Sequence, residues 1–300
     1  MGREGGHGGA VPRDLPVSLP GLRAPAESGA ILAQPPLVTL GSLLADNRSI
    51  LSDTQLRIGD IPLPEIRRCA VSEAIVAARD YMGGEPAASA AGGLVAPAAD
   101  AAGSPVSLFI AGHQPDLFHP GVWLKNFALN SLAKRHGALP LNLVIDNDTV
   151  KSTTVRVPIL GRRDQPQSVH SIAVPFDHFA GEVPFEERAV LDEVLFADFP
   201  RAVAERTADW PFTPFLPAFW QELPPPPAHL GDRLAAGRRT WERRWGCDNP
   251  ELPISRLCRT AAFAQFAMAL LADLPAFHAA YNACVHEYRR SHRIRSNNHP

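Results

Sequence analysis

The chain is short of the features that most often identify a protein at sight. Its four cysteines, Cys69, Cys247, Cys258 and Cys284, form no CxxC pair, which removes the common zinc and dithiol motifs. No signal-like apolar segment follows the glycine-rich N-terminus, so the thiols read as reduced and the chain as cytoplasmic. A bilayer span needs roughly 18 to 20 apolar residues. The longest candidate, Ala261 to Leu274, contains Gln265 and Asp273 and reads as a buried helix. Charge of one sign is also missing: 29 lysines and arginines face 31 aspartates and glutamates, for a net charge of −2. Such a balance provides no field to gather nucleic acid or an anionic membrane. No segment repeats at a fixed period, which excludes solenoids and propellers. A small-molecule partner is what these absences leave, and a homo-oligomer is compatible with them.

What is present is the material of a globular core, 45% hydrophobic and 20% charged residues over 300 positions. Proline is abundant, with 30 residues where the usual share of about 5% would supply half as many, and it punctuates many loops. Residues 1–35 mix Gly, Pro, Arg and Ala without periodicity and read as disordered. Residues 36–82 read as an N-terminal subdomain ending in a helix over Pro64 to Met82, with Ile66, Cys69, Ala70, Ile75 and Ala78 on its packed side. Residues 83–105 lack bulky apolar groups and read as a flexible linker or insertion.

The core reads as residues 106–180. Val106 to Ala111 and Leu141 to Ile145 are apolar runs suited to strands buried on both faces, and Val122 to His136 between them has helical spacing. Leu124, Phe127, Ala128, Ser131 and Leu132 share its apolar face, while Lys125, Lys134 and Arg135 lie off it. Strand, helix and strand within about 40 residues make a βαβ unit, hence an α/β fold with a Rossmann-like parallel sheet. Thr153 to Leu160 and Ser168 to Val174 are expected to extend that sheet. Residues 181–300 read as a mostly helical region, interrupted by a packed loop over Pro211 to Pro227 with Trp210, Phe212, Phe215, Phe219 and Trp220. Trp241 and Trp245, beside Arg243 and Arg244, read as a helix contact, and Cys284 as a small buried residue.

In an open parallel sheet ligands bind beyond the carboxyl ends of the strands. The loop from Gly112 to Gly121 leaves the first strand there and enters the helix. His113 and His119 add imidazoles, Gln114 an amide, and Gly121 permits close approach to the backbone. His113, His119 and Asp148 are the candidate catalytic residues. Asp146, Asn147 and Lys151 at the end of the second strand are candidate substrate contacts, with Gln114. An Asx turn over Asp146 to Thr149 explains the same residues without function. No third ligand stands at a recognisable spacing from the two histidines, so no metal site is assigned.

The run Ile110-Ala111-Gly112-His113-Gln114-Pro115-Asp116-Leu117-Phe118, followed by a helix rich in Lys, Asn, Ala and Leu, resembles the bacillithiol-synthesis cysteine-adding enzyme family (BshC-like proteins). The segment Phe277-His278-Ala279-Ala280-Tyr281-Asn282-Ala283-Cys284-Val285-His286-Glu287-Tyr288-Arg289-Arg290 resembles a helical stretch of the same family. A strand followed by His113-Gln114-Pro115 also resembles the WbqC-like family. The first resemblance implies a nucleotidyltransferase-like Rossmann core and a ligase or transferase that adds cysteine to an amino sugar. It also implies a nucleotide such as ATP, with Mg²⁺, near His119 and Gly121, and substrate contacts from Asn282 and Arg289. The second signature loop of nucleotide users does not occur, and the final histidine of the HxGH pattern is replaced by Val122 or Trp123. The polar stretch from Ser296 to Pro300 leads us to expect a C-terminally truncated member. A non-catalytic sugar- or nucleotide-binding protein on the same fold is the alternative.

Overall fold

The computed structural model describes residues 23, 25–83, 106–117, 119–159, 170–226 and 228–296. The linker expected over residues 83–105, and most of the disordered segment expected over residues 1–35, lie outside them. In chain order the elements are α1 (Leu40–Asp53), β1 (Arg57–Ile58), β2 (Ile61–Pro62), α2 (Leu63–Tyr81), β3 (Leu108–His113), α3 (Pro120–His136), β4 (Leu139–Val144), β5 (Thr154–Ile159) and β6 (His170–Pro175). They continue with α4 (Glu193–Arg206), α5 (Leu216–Trp220), α6 (Leu230–Arg244), β7 (Glu251–Pro253), α7 (Ile254–Leu257), α8 (Ala261–Ala272) and α9 (Leu274–Ser291). The chain divides into two compact units, Leu51–Gln265 and Met1–Ile50 with Phe266–Pro300. No single helix among the described residues is long and apolar enough to cross a membrane.

The larger unit is an α/β structure built on a parallel sheet of order β3-β4-β7. All six residues of β3 pair with β4, from Leu108 opposite Leu139 to His113 opposite Val144. The connection is the βαβ unit that the apolar runs predict. Gly112 belongs to this pairing for a steric reason: a Cβ there would stand 3.1 Å from the Leu143 carbonyl oxygen and 3.2 Å from the Leu143 Cβ. α3 begins two residues earlier than its periodicity indicates, because Pro120 presets a helical φ at the first position and has no N–H to leave unpaired. It ends at Gly137, whose φ of 59° is the left-handed conformation that glycine adopts without a Cβ penalty.

The buried face of α3 differs from the predicted one. Asn126, Leu129, Asn130 and Ala133 are buried, whereas Leu124 is 46% exposed. Asn126 and Asn130 occupy the inner stripe because each has a buried partner: Asn126 Nδ2 donates to Glu242 Oε1 at 2.7 Å, and Asn130 Nδ2 to Asn249 Oδ1 at 3.1 Å. An apolar count sees only half of such a face. α2 differs similarly, burying Ile66, Val71, Ala74 and Ala78 and leaving Cys69 exposed. It packs on the sheet in a small core with Leu141 and Leu252.

A further expectation is corrected. β5 and β6 do not extend the parallel sheet but pair antiparallel as a separate ribbon. Their period-two pattern puts Val155, Val157, Ile172 and Val174 against a second, larger core, while the third place in the parallel sheet goes to β7, beside β4. Within the second core Trp220 lies 4.6 Å from Phe196 and 4.5 Å from Phe199, centroid to centroid. Pro200 sits inside α4 and supplies no N–H to the carbonyl four residues back. That carbonyl, Phe196 O, instead accepts the Trp220 indole N–H at 2.7 Å. Asp177 fixes the entry to α4, accepting the backbone N–H groups of Leu191 and Asp192 and a bond from the buried Arg188.

The smaller unit holds most of α1 and all of α9, and no residue of either helix is buried. Cys284, expected to be buried, is exposed there.

Candidate functional site

The carboxyl ends of β4 and β7 open onto a cleft of about 490 Å³, on the edge of the sheet where the topology calls for a ligand. Val144 ends β4 and Asp146 follows it, Pro253 ends β7, Ser255 and Arg256 lie on α7, and Arg259 lies just beyond it. Asp80 comes from α2, Glu186 from the loop before α4, and Gly231 and Asp232 from the first turn of α6.

Asp146 is buried and holds this edge together. Its Oδ1 accepts the Ser255 backbone N–H at 3.0 Å, and its Oδ2 accepts the Ser255 hydroxyl. The carboxylate therefore ties the end of β4 to the turn after β7. Asp80 and Asp232 are exposed and Glu186 half-buried, and the exposed Arg256 and Arg259 line the same cleft. The Tyr81 hydroxyl donates to Asp232 Oδ1 at 3.1 Å. Burial first, then the Glu251 and Asp232 carboxylates, pushes its pKa well above the ordinary tyrosine value, so it serves as a neutral donor. Arg256 lies 5.0 Å from the centre of the Tyr81 ring, a cation–π contact that steadies its position. The Cys258 thiol is pushed up by burial and by the Asp146 and Glu186 carboxylates, which disfavours the thiolate a nucleophile needs.

The residues assigned from sequence fall mostly elsewhere. Of them, Asp146 alone among the described residues lines the cleft. His113 ends β3 half-buried, with Nδ1 3.2 Å from the Gln114 carbonyl oxygen. Gln114 and Asp148 do meet: Gln114 Nε2 donates to Asp148 Oδ2 at 2.7 Å. Asp148 Oδ1 also accepts the Thr149 N–H at 2.8 Å, the Asx-type closure. These bonds, Gln114 first, hold the Asp148 carboxyl below its ordinary range. Lys151 pairs at 2.8 Å with Glu182, which holds it protonated, and Asn147 is exposed.

His119, exposed at the helix start, serves locally as a cap. It is the N-cap of α3, and its Nδ1 accepts the Gly121 N–H at 3.1 Å. A Cβ on Gly121 would stand 3.2 Å from that nitrogen, so the glycine makes room for the capping ring. Asn282 and Arg289 belong to the smaller unit, where Asn282 Nδ2 lies 2.9 Å from His278 Nε2 and Arg289 donates to the Ser296 carbonyl. Among the described residues no three His, Cys, Asp or Glu side chains group as metal ligands.

Sequence reasoning missed Asp80, Glu186, Asp232, Ser255, Arg256 and Arg259. Their one local signal is the short apolar pair Leu252-Pro253 followed by Ser255 and Arg256, a strand end too brief to show a period. Comparison with protein-family models, with curated proteins and with solved structures returns no match.

Proposed function

We propose that this chain binds a small molecule bearing both an amine and an acidic group, an amino acid or an acidic amino sugar, in the cleft beyond β4 and β7. We further propose that its amine attacks the acyl carbon of a second, already activated substrate, the new carbon–nitrogen bond forming as the activating group leaves with the electron pair and the amine gives up a proton, as in a cytoplasmic ligase or transferase of the cysteine-adding type. The presence of both kinds of charge around one cleft carries this reading. Glu186, Asp80 and Asp232 supply carboxylates for an ammonium, Arg256 and Arg259 supply guanidiniums for a carboxylate, and all five line one cleft of about 490 Å³. Guanidiniums favour planar carboxylates because two N–H groups reach two oxygens together.

Within the α/β class the reading takes the core as Rossmann-like. Nucleotide binding at the start of α3 does not fit the residues there: the Gly121 N–H is bonded to His119, and residues 112–121 contain no lysine or arginine. Asp146 acts as a positioning residue, holding Ser255, and with it the approach to Arg256, in place.

Calorimetric titration of the chain with cysteine, other amino acids and glucosamine derivatives tests the proposal. At least one compound carrying both charges is expected to bind, while its amide- or ester-blocked analogue loses about tenfold or more in affinity. Arg256→Ala and Glu186→Gln are each expected to weaken the same compound. An absence of binding by every zwitterion up to about 10 mM, a concentration that detects even millimolar affinity, sinks the reading. Binding without any carbon–nitrogen product favours the alternative of a non-catalytic binding protein, which the commitment of His119 to capping supports.

A further inference from the structure

A second cavity, of about 200 Å³, lies between the loop after β3, the start of α3, α5 and α6. Leu117, Trp123, Phe215 and Phe219 give it apolar walls, and Asp116 and Arg238 also line it. The aromatic walls belong to a larger cluster. Trp123 and Phe215 stand 6.0 Å apart, Trp123 and Trp245 5.2 Å, and Phe215 meets Trp241 edge to face at 4.5 Å. The loop separates this cavity from the cleft: Pro115 Cγ lies 3.2 Å from where a Cβ on Gly231 would stand, at the cleft, and the next two residues line the second cavity.

The charges at the cavity do not cancel. Arg238 is spent on Glu251, at 2.6 Å, and on both oxygens of Glu242, at 3.2 Å, and Arg239 pairs with Glu251 at 3.0 Å. Two guanidiniums and two carboxylates balance within that network. Asp116 is outside it, accepting the Leu117 backbone N–H at 2.7 Å. The surrounding protein raises its carboxyl pKa by desolvation, opposed by that N–H and by His113. Asp116 is nonetheless exposed, so its carboxylate is within reach of an approaching cation, and aromatic faces attract the same kind of charge.

We propose that this cavity is a binding site for a small organic cation with an apolar, ring-sized body, such as an arylalkylamine, its ammonium set against Asp116 and its body against Trp123, Phe215 and Phe219. The site stands apart from the cleft and does not depend on what the cleft binds.

Titration of the full chain with phenethylammonium, read by tryptophan fluorescence, tests the site, with 2-phenylethanol and phenylacetate as neutral and anionic isosteres. A saturable change with phenethylammonium is expected, weaker by about tenfold with 2-phenylethanol and weaker still with phenylacetate. Asp116→Asn should erase that preference, and Leu216→Trp, which fills the cavity, should abolish binding of all three. Circular dichroism confirms the fold of each variant, and if the larger side chain at Leu216 unfolds the chain, the asparagine variant alone decides. Arg256→Ala, in the cleft, should leave phenethylammonium affinity unchanged. The proposal is overturned by no saturable change up to about 10 mM, by equal affinity for the three isosteres, by an unaltered preference in Asp116→Asn, or by loss of binding in Arg256→Ala.

Discussion

Strand β7 has a charge-rich region at each end, and the two behave in opposite ways. At its start Glu251 is 1% exposed and belongs to a network with Arg238, Arg239 and Asn142, which continues through Glu242 to Trp123 and Asn126. At its far end, past Pro253, the charged groups of Asp80, Asp232, Arg256 and Arg259 stand exposed around a cleft. In the first region every carboxylate is matched inside the protein. Burial holds the Glu242 carboxyl above its ordinary range, against the pull of Arg238, yet the group faces its own partners. A displaced pKa there reports a structural joint between α3, α6 and the sheet, whereas the functional candidate is the region whose charged residues stand exposed around the cleft.

The sharpest way to break this contrast is to remove Arg238. Arg238→Met would leave Glu242 and Glu251 buried with only Arg239 between them, and uncompensating one side of a buried ion network costs about 3–5 kcal/mol. Urea denaturation measures it. The further replacement Glu242→Gln should recover part of the loss by removing one stranded charge. A loss below about 1 kcal/mol for Arg238→Met, the scale of an exposed pair, would mean that the network is solvated and that the two ends of β7 are alike.

The same contrast explains what was legible in the sequence. β3, α3 and β4 show in the chain through their apolar runs and helical spacing, and Leu141 and Val144 announce themselves without knowledge of any other residue; β3, expected to be buried on both faces, has no buried residue, and its Ile110 is 56% exposed. β7 does not, because three residues with a buried glutamate look like a loop until Arg238, Arg239 and Asn142 are known to surround it. The inner face of α3 was misread for a related reason. Asn126 and Asn130 are core residues only by virtue of Glu242 and Asn249, more than 110 positions away. Of the cleft, Asp146 was legible as a polar residue closing an apolar strand. The other charges come from α2, α6 and the segment after β7, and only the tertiary fold gathers them. His119 was legible as a chemically capable group but not as a cap, since both roles call for the same residue before the same Pro120-Gly121.

A smaller effect is expected at the wall that the loop and the cleft share. A Cβ on Gly231 would meet Phe185 Cβ at 3.0 Å, the Phe185 carbonyl oxygen at 3.2 Å and Pro115 Cγ at 3.2 Å. Backbone and ring atoms yield less readily than the tip of a flexible side chain. Gly231→Ala gains helix propensity in α6, by up to about 1 kcal/mol, against an overpacking cost of about 1–3 kcal/mol. A net loss near 1 kcal/mol, with weaker binding of whichever zwitterion the cleft takes, is the expected outcome. Thermal unfolding and the same calorimetric titration read the two effects separately. A more stable variant with unchanged affinity would show that Phe185 and Pro115 retreat freely, and that the wall is not fixed.

The smallest effect belongs to the polar pair that the sequence did predict. Gln114 and the Thr149 N–H stabilise the charged form of Asp148, so its folded pKa lies below the unfolded value of about 3.9. A group lowered in this way contributes stability above the unfolded pKa and loses it as pH falls through the folded one. Gln114→Ala removes the larger cause. Asp148 should then titrate nearer its ordinary value by carboxyl-carbon NMR, and the variant should lose less of its remaining stability between about pH 5 and pH 2 than the parent does. Because Asp148 is only half-buried, the change in melting temperature at pH 7 should be slight. An unmoved titration would mean that Thr149 alone sets the carboxylate, in which case the Gln114–Asp148 pair is a turn ornament and the loop after β3 keeps only its part as the wall between two cavities.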